Sequence, residues 1–419
     1  MPPVVYVGSD AVEHLLRFCE SRRFPRYTLV ADHNTYAAMG ARIADVWAHR
    51  AWTTDVALLN GGEVIADEHR IMQLLMRADH ANRVYLAVGS GTITDIVRFV
   101  SFVTRDQFIS VPTAPSVDGY TSTGAALTIG KSKHTVPAHA PLAVFADLDT
   151  LCAAPPAMIA AGYGDMLGKY TSLADWELGH VVWGEAYSEP IARRVRTALE
   201  TCRESLRQGA PFSREAIRGL TASLIESGQC IADFGSSEAA SGSEHHLSHY
   251  WEMLLLRENR PPLLHGAKVA VGAVVVAGIY DRLRRLTRTQ VATRLRDAAP
   301  PARDEEIAAI RRGFGDDAER IIARHSTFLD MMPSDVDRLK HTITDVWARI
   351  QDIASTVPAP GALAEMLRRV HAPVTPDELG LDRRDLSRAL TYASYMRNRF
   401  TVLKLARWLG VPTDALIAH

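Results

Sequence analysis

Four short, uninterrupted apolar runs, each followed by turn or polar residues, constrain this chain more than any other feature. They are Tyr27-Thr28-Leu29-Val30-Ala31, Val84-Tyr85-Leu86-Ala87-Val88, Phe108-Ile109-Ser110-Val111 and Ala143-Val144-Phe145-Ala146. A strand without polar alternation must be covered on both faces, which is the condition of a parallel sheet flanked by helices. The intervening stretches, such as Glu68 to Met76 and Thr94 to Val103, carry helical periodicity. Strand–helix alternation therefore predicts an α/β, Rossmann-like N-terminal domain with a parallel sheet. After about Pro155 the strand-like runs almost disappear. Helical patterns follow at about 157–180, 189–207, 213–232, 236–257 and 266–286, with more toward the end of the chain. The expected organisation is an α/β domain over 1–154 and an all-α domain over 155–419, with loops at 298–302 and 357–361 and no internal repeat.

A chain of 419 residues exceeds one ordinary core, so two domains are the natural expectation. Its 47 basic and 48 acidic residues nearly cancel, which gives no electrostatic reason to expect nucleic acid or an anionic membrane as the main partner. The start, Met1 to Tyr6, shows no basic segment followed by a long apolar one, so no secretory signal is expected. The longest apolar stretch, near Val269 to Tyr280, is well short of the ~20 residues of a membrane span and predicts a buried helix instead. Cys19, Cys152, Cys202 and Cys230 are scattered, with no CxxC pair. They suggest neither a disulfide framework nor a thiolate metal site, and a cytoplasmic setting fits them.

Two loops stand where a parallel sheet binds ligands. Val88-Gly89-Ser90-Gly91-Thr92-Ile93-Thr94-Asp95 reads as strand, glycine turn and helix start. That arrangement suits a diphosphate, because glycines admit close backbone approach and free N–H groups at a helix start attract negative charge. The full GxGxxG fingerprint is absent, since Thr94 stands at the third glycine position. The run Pro112-Thr113-Ala114-Pro115-Ser116-Val117-Asp118-Gly119-Tyr120-Thr121-Ser122 follows the next strand and belongs at the same carboxyl edge. Asp32, just past the first run, stands where an acid could bond a ribose hydroxyl or could equally cap a helix.

A metal-ligating set lies further on. Asp165 interrupts an otherwise apolar helical stretch, where a carboxylate is costly unless paired or ligated. His245 and His249 stand at i, i+4, on one face of a helix, and His265 opens the next helical run. One carboxylate and two imidazoles make a three-ligand site for Zn²⁺, Fe²⁺ or Ni²⁺ with an open position for a substrate oxygen. His246, beside His245, leaves the register open; the i, i+4 relation to His249 favours His245.

Taken together, the strings GSGTITDI at 89–96, PTAPSVDGYTS at 112–122, AGYGDMLGK at 161–169, GSEHHLSHYWEM at 242–253, LHGAKVAVG at 264–272 and NRFTVLKLARWLG at 398–410 resemble the sn-glycerol-1-phosphate dehydrogenases. That family sits within the iron-type alcohol dehydrogenase and glycerol dehydrogenase group, whose fold is shared with dehydroquinate synthase. The resemblance implies that Gly89, Gly91, Thr92, Ile93, Thr94 and Asp95, with Thr113, Ala114, Pro115, Ser116, Ser122 and Asp32, hold NAD or NADP. It implies that Asp165, His245 and His265 bind one divalent metal, and that Asp118, Asp165 and His249 act at the substrate. The implied reaction is reduction of dihydroxyacetone phosphate to sn-glycerol 1-phosphate, with hydride from the nicotinamide, a metal polarising the keto group, and a proton from solvent, a hydroxyl chain or His249. The resemblance also implies a homo-oligomer. Asp32 would favour NADH by repelling a 2′-phosphate.

Only 6 of the 47 basic residues are lysine. Four of them, Lys131, Lys133, Lys169 and Lys268, fall in or beside these strings. Lys131 or Lys133 is the expected partner of the substrate phosphate, the alternative being a solvated pair in a loop. Two other enzyme readings compete on the same scaffold: a dehydrogenase of unphosphorylated polyols, and a sugar-phosphate cyclase that recycles its nicotinamide. A non-enzymatic binding protein is a third rival, against which the complete ligand set argues.

Overall fold

The computed structural model describes residues 2–50, 52–61, 64–79, 82–130, 132–208, 210–299 and 301–412. The chain divides into two compact units. The first comprises Met1–Met166 with Thr197–Ser236, and the second Leu167–Arg196 with Ser237–His419.

The first unit is built on strands β1 (Val4–Gly8), β2 (Tyr27–Ala31), β3 (Thr54–Leu58), β4 (Val84–Val88), β5 (Gln107–Val111) and β8 (Ala143–Asp147). All pairings are parallel, in the order β1-β8-β5-β4-β2-β3. Every residue of β2, β4 and β8 is buried, as their unbroken apolar runs require. Side chains alternate between two cores. Leu29, Leu86 and Val88 pack on one face with Leu15, Ile43 and Trp47; Val30, Tyr85 and Ala87 pack on the other with Ile93, Ile96 and Val97. From β2 the chain moves to the edge strand β3, whereas from β4 it moves the opposite way to β5. The carboxyl ends of β2 and β4 therefore flank the topological switch point, where open α/β sheets bind ligands.

A short antiparallel hairpin, β6 (Gly124–Ile129) and β7 (Ser132–Pro137), was not legible as a strand pair. Its strands carry Gly, Lys, Ser and His, and packing rather than propensity holds them: the Thr128 amide donates to the Ala66 carbonyl at 2.8 Å.

Beyond residue 155 no described residue lies in a strand. The helices run Pro156–Leu167, Lys169–Trp183, Glu189–Gln208, Arg214–Phe234, Ser243–Arg257 and His265–Arg284, with shorter ones following. The helical pattern read at 236–257 starts later than expected, at Ser243, because 236–242 form turns. The apolar stretch near Val269–Tyr280 is a helix buried along nearly its whole length. No described helix is long and apolar enough to cross a membrane.

Candidate metal and cofactor sites

In the first unit, the helix Gly91–Thr104 starts directly after β4. Ser90 occupies its N-cap position without capping it; the hydroxyl pairs with that of Ser116 at 2.6 Å. Backbone bonds Gly89 N–H to Val111 O and Thr113 N–H to Gly89 O fasten the glycine turn to the loop after β5. The two loops thus form one rim at the switch point. The Thr94 hydroxyl on this helix is buried without a hydrogen-bond partner among the described residues, an orphan that a bound ligand could satisfy.

The loop over 112–122 is braced from within. Tyr120 donates to the Ala114 carbonyl, Thr121 to the Ile225 carbonyl at 3.0 Å, and Ser122 to the carbonyls of Gly119 and Gly124, each at 3.2 Å. Arg98, fully buried, donates to the Gly119, Tyr120 and Gly124 carbonyls and pairs with Asp95 at 2.7 Å. Burial, opposed by Arg98, pushes the Asp95 carboxyl up to about 6. The carboxylate of Asp95 is thus directed to Arg98, and the Ser122 hydroxyl to its own loop. Asp32 accepts the Thr35 amide at 2.8 Å, while Thr35 accepts the Asp32 amide at 3.0 Å, so Asp32 caps the short helix His33–Thr35. One of its two carboxylate oxygens makes that cap. Lys133 lies on β7, half-buried, and Lys131 lies outside the described residues.

Asp165 is fully buried near the end of the helix Pro156–Leu167. It accepts the Asp118 amide at 3.0 Å, and the Asp118 carboxylate in turn accepts the Ser227 hydroxyl at 2.9 Å. The helix approaches the loop very closely. A Cβ at Gly162 would stand 1.8 Å from the Pro115 carbonyl oxygen, so only glycine lets Asp165 reach this depth.

In the second unit three imidazoles converge. Ring centroids of His245 and His265 are 5.2 Å apart, those of His249 and His265 5.4 Å, and those of His245 and His249 6.2 Å. The His245–His265 spacing suits ring nitrogens sharing one ion, since metal–nitrogen bonds are about 2.1 Å. The convergence needs the helices Ser243–Arg257 and His265–Arg284 to pack tightly, and a Cβ at Gly272 would meet the Glu244 carbonyl oxygen at 2.7 Å.

Sequence reasoning missed Glu244, although it directly precedes His245. Its carboxylate, fully buried, accepts from His245 Nδ1 at 2.8 Å, Thr171 Oγ1 at 2.6 Å and the Gly242 amide at 2.7 Å. Burial alone would raise this carboxyl, but the bonds from His245, Thr171 and Gly242 outweigh it and hold it below the usual carboxylate value. A proton held at Nδ1 makes Nε2 the lone-pair nitrogen of His245, the carboxylate–histidine arrangement common at metal sites. Glu252, likewise missed, lies 3.4 Å from His249 Nδ1 and 3.7 Å from the buried Lys268 ammonium. His249, Glu252 and His265 each offer a ligand atom within 4.8 Å of one another, but Glu252 is already engaged by that cation. Burial pushes His249 down to about 4, against the opposing pull of Glu252. His246 is buried, with neither nitrogen hydrogen-bonded among the described residues.

Replacing Glu244 with Gln removes the charge but keeps the shape. It is expected to weaken metal binding about 10–100-fold with little loss of folded stability, measured by chelator competition on otherwise intact protein.

The family model for iron-containing alcohol dehydrogenases matches residues 6–155. The glycerol-1-phosphate dehydrogenase [NAD(P)+] of Geobacillus thermodenitrificans is 37% identical over 95% of this chain and 91% of its own. That of Halalkalibacterium halodurans is 42% identical over 67% of this chain and 71% of its own. A solved 1,3-propanediol oxidoreductase superposes with a TM-score of 0.65 at 13% identity, covering 99% of this chain and 98% of that one, which shows a shared fold. The expected fold class stands, and the chain belongs to the glycerol-1-phosphate dehydrogenase family.

Proposed function

We propose that this protein is a metal-dependent, NAD(P)H-linked dehydrogenase that reversibly reduces dihydroxyacetone phosphate to sn-glycerol 1-phosphate. The relationship to a dehydrogenase of that name over 95% of the chain carries the reading. Asp165, His245 and His265 are the proposed ligands of one zinc, nickel or iron ion, which when bound supplies a Lewis acid for the keto oxygen. Glu244 holds His245 in the ligating tautomer, which supports choosing His245 over His246. The glycine turn, Gly89 to Thr94, offers backbone N–H groups to the cofactor diphosphate, and Thr113 to Ser116 form the adjoining wall. His249, oriented by Glu252, is the candidate proton carrier, and Asp118 the candidate substrate contact. Residues 1–154 are assigned to the cofactor and 155–419 to metal and substrate. A homo-oligomer in the cytoplasm completes the proposal.

The deciding experiment follows NADH and NADPH oxidation with dihydroxyacetone phosphate, on chelated protein with each metal added back. Turnover that needs a metal supports the reading. Equal or better turnover of unphosphorylated dihydroxyacetone would replace it with a polyol dehydrogenase, and product formation without net NADH consumption with a cyclase.

Asp32→Ser keeps a capping oxygen and removes a charge. It is expected to raise kcat/KM for NADPH relative to NADH about tenfold. An unchanged ratio would leave Asp32 a helix cap alone.

A further inference from the structure

The string at 398–410 has no role in the chemistry above. It leads into the helix Val402–Trp408 and is pinned within the second unit against the start of the helix Ser243–Arg257. Arg399 donates to the Ser241 carbonyl, and Asp175 accepts the amides of both Val402, at 2.8 Å, and Ser243, at 2.6 Å. Packed there is an unusual set of buried polar groups without hydrogen-bond partners among the described residues. It comprises Arg399 Nε and Nη2, Glu185 Oε2 beside that Nε, both nitrogens of His246, and the Thr401 hydroxyl. Arg399 is 7% exposed, His246 1%, and Thr401 is fully buried. Native proteins rarely leave such groups unmet unless water or a ligand reaches them.

Arg399, Lys404 and Arg397 act together on His246, while neighbouring carboxylates are committed elsewhere: Glu306 to Arg407, Asp175 to Tyr280 and the Ser243 and Val402 amides, and Glu244 to His245, Thr171 and the Gly242 amide. Glu185 takes part of the Arg399 charge through Nε at 3.6 Å, which leaves the outer edge of the guanidinium available. The Lys404 ammonium donates to the Ser394 carbonyl at 2.6 Å and sits 4.5 Å over the Phe328 ring. Burial, with Arg407 and Arg399 near, pushes it down to about 7. An arriving anion would relieve that burden.

The geometry points to a phosphate-binding site formed by Arg399, Thr401, Lys404 and His246, beside the metal ligand His245. Guanidinium nitrogens, a hydroxyl, an ammonium and an imidazole N–H match a tetrahedral dianion. Resting on the proposed function, this is the subsite for the phosphoryl group of the phosphorylated triose, in place of Lys131 and Lys133.

The test uses metal-loaded protein as wild type, Arg399→Gln, Arg399→Lys and Lys133→Ala. Arg399→Gln is expected to raise KM for dihydroxyacetone phosphate at least tenfold, and KM for dihydroxyacetone and NAD(P)H no more than twofold. Arg399→Lys should recover part of the loss. Inorganic phosphate should raise the wild-type thermal midpoint and compete with the phosphorylated substrate, and Arg399→Gln should abolish both effects. If Arg399→Gln does not fold, Thr401→Val is expected to weaken phosphate inhibition about threefold. Equal losses for both ketones, phosphate binding unchanged in the variants, or the loss falling on Lys133→Ala instead would overturn the site. If wild type does not turn over dihydroxyacetone phosphate, the proposed function fails while phosphate binding still decides the site. Stabilisation of wild type but not of Arg399→Gln keeps it, and no stabilisation of either removes it.

Discussion

Asp165→Asn is expected to lower kcat/KM by about a thousandfold while leaving the fold and cofactor binding intact. The substitution is isosteric. Its amide oxygen can still accept the Asp118 N–H, so the loop over 112–122 keeps that anchor. What is lost is the one negative ligand of the proposed set, leaving two imidazoles to hold a dication. Metal content, NAD(P)H binding and turnover measured on the same sample separate the cases. Loss of metal and turnover together, with NAD(P)H binding preserved, is the expected pattern. Full activity in the variant would remove Asp165 from the metal site.

Gly162→Ala is the second large effect. Its added Cβ would meet the Pro115 carbonyl oxygen at 1.8 Å and the Pro115 carbonyl carbon at 2.9 Å, both backbone atoms that cannot swing away. The helix carrying Asp165 and the loop carrying Asp118 must move apart. Overpacking of this kind costs about 1–3 kcal/mol or more. A displacement near 1 Å at a site costs activity about a hundredfold. Urea unfolding and steady-state kinetics measure the two consequences. Gly361→Ala, in the helix Pro360–Arg369 where an added Cβ meets nothing within 4 Å, is the control and should lose neither stability nor activity. Unchanged stability and kinetics in Gly162→Ala would mean the loop yields freely.

Several features were legible because they are local. The runs in β2, β4, β5 and β8 carry no polar alternation, and a strand that must be buried on both faces can only be written that way. The glycine turn declares itself by following such a run. The helix Arg214–Phe234 was visible from its periodicity, and its ends show the local chemistry responsible: the Ser213 hydroxyl accepts the Ala216 amide, and Gly235 takes a left-handed conformation at φ 83. The hairpin β6–β7 was not legible, since residues of low strand propensity are held there by distant contacts. Glu244 went unread because a carboxylate next to a histidine in sequence says nothing of where either side chain points.

The edge strands β1 and β3 were not legible, but the sequence by itself determined four of the sheet's six strands, the turns at its carboxyl edge, the i, i+4 pair of histidines and the order of motifs that marks the family. Each is written in the spacing of neighbouring residues, and local sterics and burial enforce that spacing. Only the tertiary structure decided that Asp32 caps a helix, that Asp95 is spent on Arg98, that His265 comes 5.2 Å from His245, and that Glu244 rather than a metal takes the Nδ1 side of His245. Those outcomes depend on residues far apart in the chain or on side-chain direction. Helix packing at Gly272 and buried hydrogen bonds set them, and no local pattern encodes either.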